Sequence, residues 1–320
     1  MRKAPFPGLG GKRRVASVVW TALGDVQSYV EPFAGSLAVL LARPHPARTE
    51  TVNDADCAIA NFWRALQAAP DEVARYADHP VNEADLFARH LWLVTEGLPS
   101  LAGRLEADPA AFDALIAGWW VWGICSWIGS GWCAGDGPWM LADGKVVLGD
   151  AGLGVNRKLP HLGTAGQGVN RQLGGYLEVL AERIARVRVC CGDWSRVVTD
   201  GALNYGGRVG VLLDPPYGED AGRTPALYRS DCLDVAGEAR RWALEHGDDP
   251  RLRIVLCGYA DEHDAEVPAS WRRHRWSSSG AYLGRSEEGS GNRERRHQEC
   301  LWFSPHCLEP RQGSLFVEGR

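Results

Sequence analysis

Asp214-Pro215-Pro216-Tyr217 follows directly on the apolar run Val209–Leu213. A carboxylate at the carboxyl end of a buried parallel strand stands where open α/β sheets bind ligands. The two prolines fix φ and carry no N–H, so the carbonyl oxygens around them accept hydrogen bonds without competition. Tyr217 sets a flat π face beside these acceptors. Acceptors next to a stacking ring suit a planar base with an exocyclic amino group. A plain strand-to-loop turn, which Pro-Pro also marks, is the competing reading.

Two further groups stand upstream. Glu31-Pro32-Phe33-Ala34-Gly35-Ser36 joins a short strand, Tyr29-Val30-Glu31, to a helix expected over Leu37–Ala42. A glycine turn there lets a ligand approach the backbone near a helix N-terminus. It is not GxGxxG and no phosphate-binding lysine follows, which argues against a dinucleotide or a nucleoside triphosphate. Asn53-Asp54 closes the next strand, Thr49–Asn53, roughly 20 residues past the turn, where an acidic side chain commonly accepts from ribose hydroxyls. The nine histidines show no zinc spacing and no cysteine pair reads CxxC, so no metal is expected.

Positioning such groups needs a sheet. Strand, glycine turn, helix, strand and a helix over Asp56–Leu66 is the beginning of a parallel α/β fold. Ahead of it, Lys12–Leu23 sets Val15, Val18, Val19 and Leu23 on one helical face. The pattern breaks after Pro70: residues 71–118 read mostly as amphipathic helix, and 119–170 are rich in Trp and Gly without clear periodicity. It resumes with a helix over Gln172–Val187, strands at Val189–Cys191, Val209–Leu213 and Leu252–Cys257, and a helix over Asp231–His246. Trp271–Phe303 reads as a hairpin whose middle, 284–296, is polar and Gly-rich.

The chain of 320 residues, 45% hydrophobic and 23% charged, is large enough for a core domain carrying an insertion. A net charge of −5 means that any nucleic-acid contact must use a local basic patch. The nine cysteines, an odd number, point to reduced thiols in a cytosolic protein. Ala114–Gly129 is the longest apolar stretch and falls short of the roughly 20 residues that span a bilayer, so it is expected as a buried helix.

The order Gly10-Gly11-Lys12, EPFAGS at 31–36, NDAD at 53–56, CGDW at 191–194 and DPPY at 214–217 resembles the Dam-type adenine-N6 DNA methyltransferases. The closing Glu299-Cys300-Leu301-Trp302-Phe303-Ser304 is similar to that family's last core strand. The resemblance implies an α/β, Rossmann-like core dependent on S-adenosylmethionine, assembled from residues 1–70 and 171–320. Residues 71–170 would form a helical, Trp-rich target-recognition insertion. By this likeness Asp214 and the Pro215 carbonyl would accept from the adenine amino group, Pro216 would hold the turn, and Tyr217 would stack on a flipped base. Glu31, Phe33, Ala34 and Gly35 would line the cofactor site. Asp54 would hold its ribose, Asp193 would sit near its adenine, and Lys12 would support its methionine end. The family carries an aromatic residue just before GGK. This chain reads Phe6-Pro7-Gly8-Leu9, which leaves open the side chain that packs there.

Other features are less pointed. Trp119, Trp120, Trp122, Trp127, Trp132 and Trp139 suit the core of the insertion better than a DNA wedge. Arg272, Arg273, Arg275, Arg285, Arg293, Arg295 and Arg296 form a basic group able to clamp phosphates, or else a solvated hairpin; Arg157, Lys158 and Arg171 form a second. The expected partner is double-stranded DNA, with a cognate restriction endonuclease as a further candidate. No membrane is expected, and the protein is taken as a cytoplasmic monomer or weak dimer. Methylation of the cytosine 4-amino group, or of adenine in RNA, shares the same pocket logic. A non-catalytic DNA-binding relative has no use for the DPPY acceptors.

Overall fold

A computed structural model describes residues 3–6, 12–46, 48–127, 132–133, 139–142, 145–148, 171–203, 206–216, 234–276 and 299–309. The strands in chain order are β1 (Ser28–Glu31), β2 (Thr49–Asp54), β3 (Trp139–Ala142), β4 (Lys145–Leu148), β5 (Arg188–Cys191), β6 (Val209–Leu213), β7 (Leu252–Tyr259), β8 (Arg272–Trp276) and β9 (Glu299–Phe303). Seven of them form one sheet in the order β5-β2-β1-β6-β7-β9-β8, while β3 and β4 make a separate antiparallel pair. Strands β5, β2, β1, β6 and β7 run parallel, and β9 lies antiparallel between β7 and β8. This is the mixed α/β, Rossmann-like sheet that the strand pattern implies.

The central strands are apolar because both of their faces are covered. All five residues of β6 and all five of β9 are buried. The covering helices begin with α1 (Ala16–Leu23), α2 (Cys57–Ala68), α3 (Pro70–Ala77) and α4 (Glu83–Trp92). Short turns α5 (Leu98–Leu101) and α6 (Arg104–Ala107) lead to α7 (Ala114–Ser126) and α8 (Arg171–Ile184); α9 (Asp200–Leu203), α10 (Val235–His246) and α11 (Ala260–His263) follow. Asp56, Asn82 and Asp113 cap α2, α4 and α7, each accepting from a first-turn N–H. One hydrophobic cluster runs from α1, α2 and β2 through α3, α4 and α7 to α8.

Two boundaries differ from the sequence pattern, each for a local reason. Leu37–Ala42 is not an α-helix: Leu37 has φ 54° and only Leu40–Ala42 forms a 3-10 turn. The buried helix expected in the apolar stretch Ala114–Gly129 is present over Ala114–Ser126. This helix is apolar on all sides, so burial erases the polar face that periodicity detects. The helix expected up to Val187 ends at Ile184, where Val187 N–H bonds the Ile184 carbonyl before β5 begins. The Trp residues of α7 are core, as expected: Trp120 and Trp122 are buried, and so is Trp127 just beyond it. No helix among the described residues is long and apolar enough to cross a membrane.

Beneath the sheet, Glu50 of β2 is 2% exposed and carries two arginines. It accepts from Arg43 Nη1 at 3.1 Å, and from Arg183 Nη1 at 2.7 Å and Nη2 at 2.8 Å. Arg43 also donates to the Val26 carbonyl at 2.7 Å, and Arg183 to that of Leu40 at 3.1 Å. This knot ties α8 and the 40–43 turn to the sheet. Glu50→Ala strands both guanidiniums in the interior, and the expected loss is about 3–5 kcal/mol. Urea denaturation measures it. A loss under about 1 kcal/mol would mean that the arginines find other partners.

Candidate active site

The sheet places three acidic residues along one edge. Glu31 ends β1, Asp54 ends β2, and Asp214 follows β6. The chain leaves β1 for β2 on one side, while β6 pairs with β1 on the other. The strand order therefore reverses at β1, and the cleft beyond the carboxyl ends at such a point is where open α/β sheets hold ligands.

The 31–36 turn is braced from β2. Ala34 N–H donates to the Asn53 carbonyl at 2.8 Å, and Asn53 Nδ2 donates to the Pro32 and Gly192 carbonyls at 3.1 and 2.9 Å. Gly35 has φ 46°, a conformation glycine tolerates best, and a Cβ placed there would meet nothing within 4 Å. That open space is where a bound group can approach the backbone. Gly35 N–H donates to Asp54 Oδ2 at 2.9 Å, and Asp56 N–H to Asp54 Oδ1 at 2.9 Å. Burial pushes the Asp54 carboxyl up to about 7, and neighbouring Asp56 adds to the rise. The two N–H bonds oppose it. Phe33 stacks on Trp194 with centroids 5.7 Å apart and planes at 30°. Beside that pair Asp193 is exposed, its carboxylate accepting from Ser195 N–H at 2.8 Å.

The other half of the edge is organised by an ammonium group. Lys12 Nζ lies 2.9 Å from Asp214 Oδ1 and 3.9 Å from Glu299 Oε2. It also stands 5.7 Å from the centroid of the Trp276 ring. Lys12 and Glu299 are buried and Asp214 is half-buried, so the charges are largely shielded from water. Glu31 is buried nearby and accepts from the Tyr29 hydroxyl at 3.1 Å. Burial pushes its carboxyl well above the usual carboxylate range; the Tyr29 bond opposes the rise and the charge of Asp214 adds to it.

The structure thus brings together Lys12, Glu31, Asp214 and Pro215 on one side, and Phe33, Ala34, Gly35, Asp54 and Asp193 on the other. Pro216 is half-exposed at the cleft. Tyr217 and the arginines at 285, 293, 295 and 296 lie outside the described residues, as do Gly10 and Gly11. Of the remaining hairpin arginines, Arg273 pairs with Asp264 and Arg272 lies over Phe303. Sequence reasoning missed the contact of Lys12 with Asp214 and the presence of Glu299 and Trp276 beside it. The available signal was a lone acidic residue opening an otherwise apolar last strand. Among the described residues no cluster of His, Cys, Asp and Glu is arranged to hold a metal.

Residues 9–90 match the family model of the D12 class N6 adenine-specific DNA methyltransferases. No curated protein matches the chain. The matched segment runs from GGK through EPFAGS and NDAD into α4, and so contains Lys12, Glu31, Gly35 and Asp54 together. Over that segment the chain is similar to the D12 class N6 adenine-specific DNA methyltransferases.

Proposed function

We propose that the protein transfers a methyl group from S-adenosylmethionine to the 6-amino group of an adenine extruded from double-stranded DNA. The observation that supports this most is the shared carboxyl edge of adjacent strands that carries both the braced Gly35 turn and the Asp214-Pro215 acceptors. The cofactor fits the first half. The open backbone at Gly35 admits a ligand, Asp54 offers a carboxylate to ribose hydroxyls, and the Phe33–Trp194 pair offers a flat apolar wall. When bound, the cofactor supplies an activated sulfonium methyl group.

The protein's part is positioning and electrostatics. The amino lone pair of adenine is delocalised into the ring and is a poor nucleophile. Asp214 and the Pro215 carbonyl, held at the end of β6, accept its two N–H groups and favour a more tetrahedral nitrogen. The lone pair is then free to point at the methyl group. Extruding the base costs a few kcal/mol, recovered by stacking and by these hydrogen bonds. In this reading residues 71–170 remain the part that selects the target, and the arginines at 285, 293, 295 and 296 hold phosphates.

Three outcomes are expected. Asp54 must be ionised to accept two hydroxyls, yet in the free protein it holds its proton up to about pH 7. Cofactor affinity should therefore rise with pH through about 7 and level off above it, falling by at most about tenfold per unit below. Calorimetry at pH 6 and 8 reads this, and Asp54→Asn should bind weakly with no such slope. A wild-type slope in that variant would remove the assignment.

Binding to DNA should weaken steeply with salt, and replacing Arg293, Arg295 and Arg296 together should flatten the slope. An unchanged slope in the triple variant would return the loop to the solvated reading.

The chemistry rests on Asp214. Asp214→Ala should lose nearly all transfer while keeping the fold, because β6 ahead of it carries the packing. Asp214→Asn still accepts one hydrogen bond but has no negative charge facing the nitrogen as it turns positive, so the rate should fall about 100–1,000-fold. Transfer of labelled methyl groups to adenine-containing DNA decides it. Wild-type transfer by Asp214→Ala would sink the reading.

A further inference from the structure

Lys12 sets the proposed reaction a problem. Its ammonium sits 2.9 Å from Asp214, where it neutralises the charge that the target nitrogen needs. It also stands beside the atom on which positive charge grows during transfer, and like charges at that range repel. Leaving for solvent would take Lys12 out of a buried position. Leaving Asp214 without a new partner would strand a charge in the interior.

A second seat stands within reach. Glu299 Oε2 lies 3.9 Å from Nζ, and Glu299 is 3% exposed at the start of β9. Its cross-strand neighbour Trp276 turns its ring towards the same ammonium, which favours a cation there. Between the two carboxylates runs β7, where Cys257 feels the charges of Asp214, Lys12, Glu299 and Glu31 together. A short swing of the lysine side chain exchanges the near carboxylate for the far one.

Resting on the methyl-transfer reading above, we propose that Glu299 is a positioning residue for the reaction. It receives Lys12 when the target amino group engages Asp214, so that Asp214 regains its charge while the ammonium stays paired. Glu299 acts through Lys12 and need not touch the base.

The chain has four lysines, Lys3, Lys12, Lys145 and Lys158, so lysine-selective isotope labelling yields few side-chain signals. That of Lys12 is identified by its loss in Lys12→Arg. A mixed-sequence DNA that the wild type methylates is added together with S-adenosylhomocysteine, which has no methyl group to give. The Lys12 signal should move on adding DNA to the wild type and stay in place in Glu299→Gln. That variant should lose roughly tenfold or more in kcat, with cofactor affinity little changed. In a Lys12→Gln background, Glu299→Gln should add almost nothing, because the two act as one unit. Glu299→Asp, which keeps the charge, should recover part of kcat and serves if Glu299→Gln fails to fold. A Lys12 signal indifferent to DNA in a wild type that methylates, or wild-type kcat in a folded Glu299→Gln, overturns the proposal. A wild type that methylates no DNA instead brings down the methyl-transfer reading, and this proposal with it.

Discussion

The carboxyl edge of the sheet carries more negative charge than a protein interior readily holds. Glu31, Asp54 and Glu299 are buried there and Asp214 is half-buried, with one ammonium, Lys12, among them. Withdrawing an ion from water costs several kcal/mol, so each group must be paired or must give up its charge. The chain does both. Lys12 pairs with Asp214 and borders Glu299, while burial drives Glu31 and Asp54 towards their protonated forms. An edge in this condition is held ready for a ligand. Donor groups on a bound ligand would compensate these carboxylates where the protons and the ammonium do so now.

The two halves of the cleft are mechanically joined. Asn53 reaches from β2 to the Pro32 carbonyl and to the Gly192 carbonyl beyond β5, so one side chain fixes the loops on either side of Asp54. Trp63 of α2 donates to the Gly35 carbonyl at 2.9 Å, which anchors the glycine turn from the helix behind it. Gly35 N–H meanwhile binds Asp54. Glu31, at the end of β1, lies between this braced turn and Asp214. A displacement of the turn is therefore felt at β1, whose other neighbour is β6, the strand that carries Asp214.

Much of this was legible in the sequence because it follows from local rules. An apolar run ahead of Asp214 can only be a covered strand, and β6 spans Val209–Leu213 as read. Asp54 at a strand end and Gly35 in a tight turn obey the same logic. What escaped depends on distance in space and not in sequence. Lys12 and Glu299 lie at opposite ends of the chain, and no periodicity links them. The stretch after Leu37 failed for a different reason: its residues suit a helix, but the demand of the Gly35 turn on Asp54 and the positive φ of Leu37 override that preference. In α7 the apolar run itself marked a buried helix, although it has no polar face for periodicity to detect.

One aromatic ring ahead of GGK has a defined place in the core. Phe6 is buried against Phe62 and Trp63 of α2 and Trp120 of α7, with ring centroids 5.5, 5.8 and 4.9 Å away. The Pro5 carbonyl accepts from Cys125 of α7, and that of Lys3 from the Tyr176 hydroxyl of α8. Residues 3–6 are thus moored on α2, α7 and α8 together. Aromatic contacts of this kind contribute beyond their buried area, so the mooring is strong as well as specific. Trp63 contacts Phe6 with its ring and donates its N–H to the Gly35 carbonyl, so the same side chain ties residues 3–6 to the turn that faces Asp54. A change in how α7 packs would therefore be felt at the glycine turn through Phe6 and Trp63.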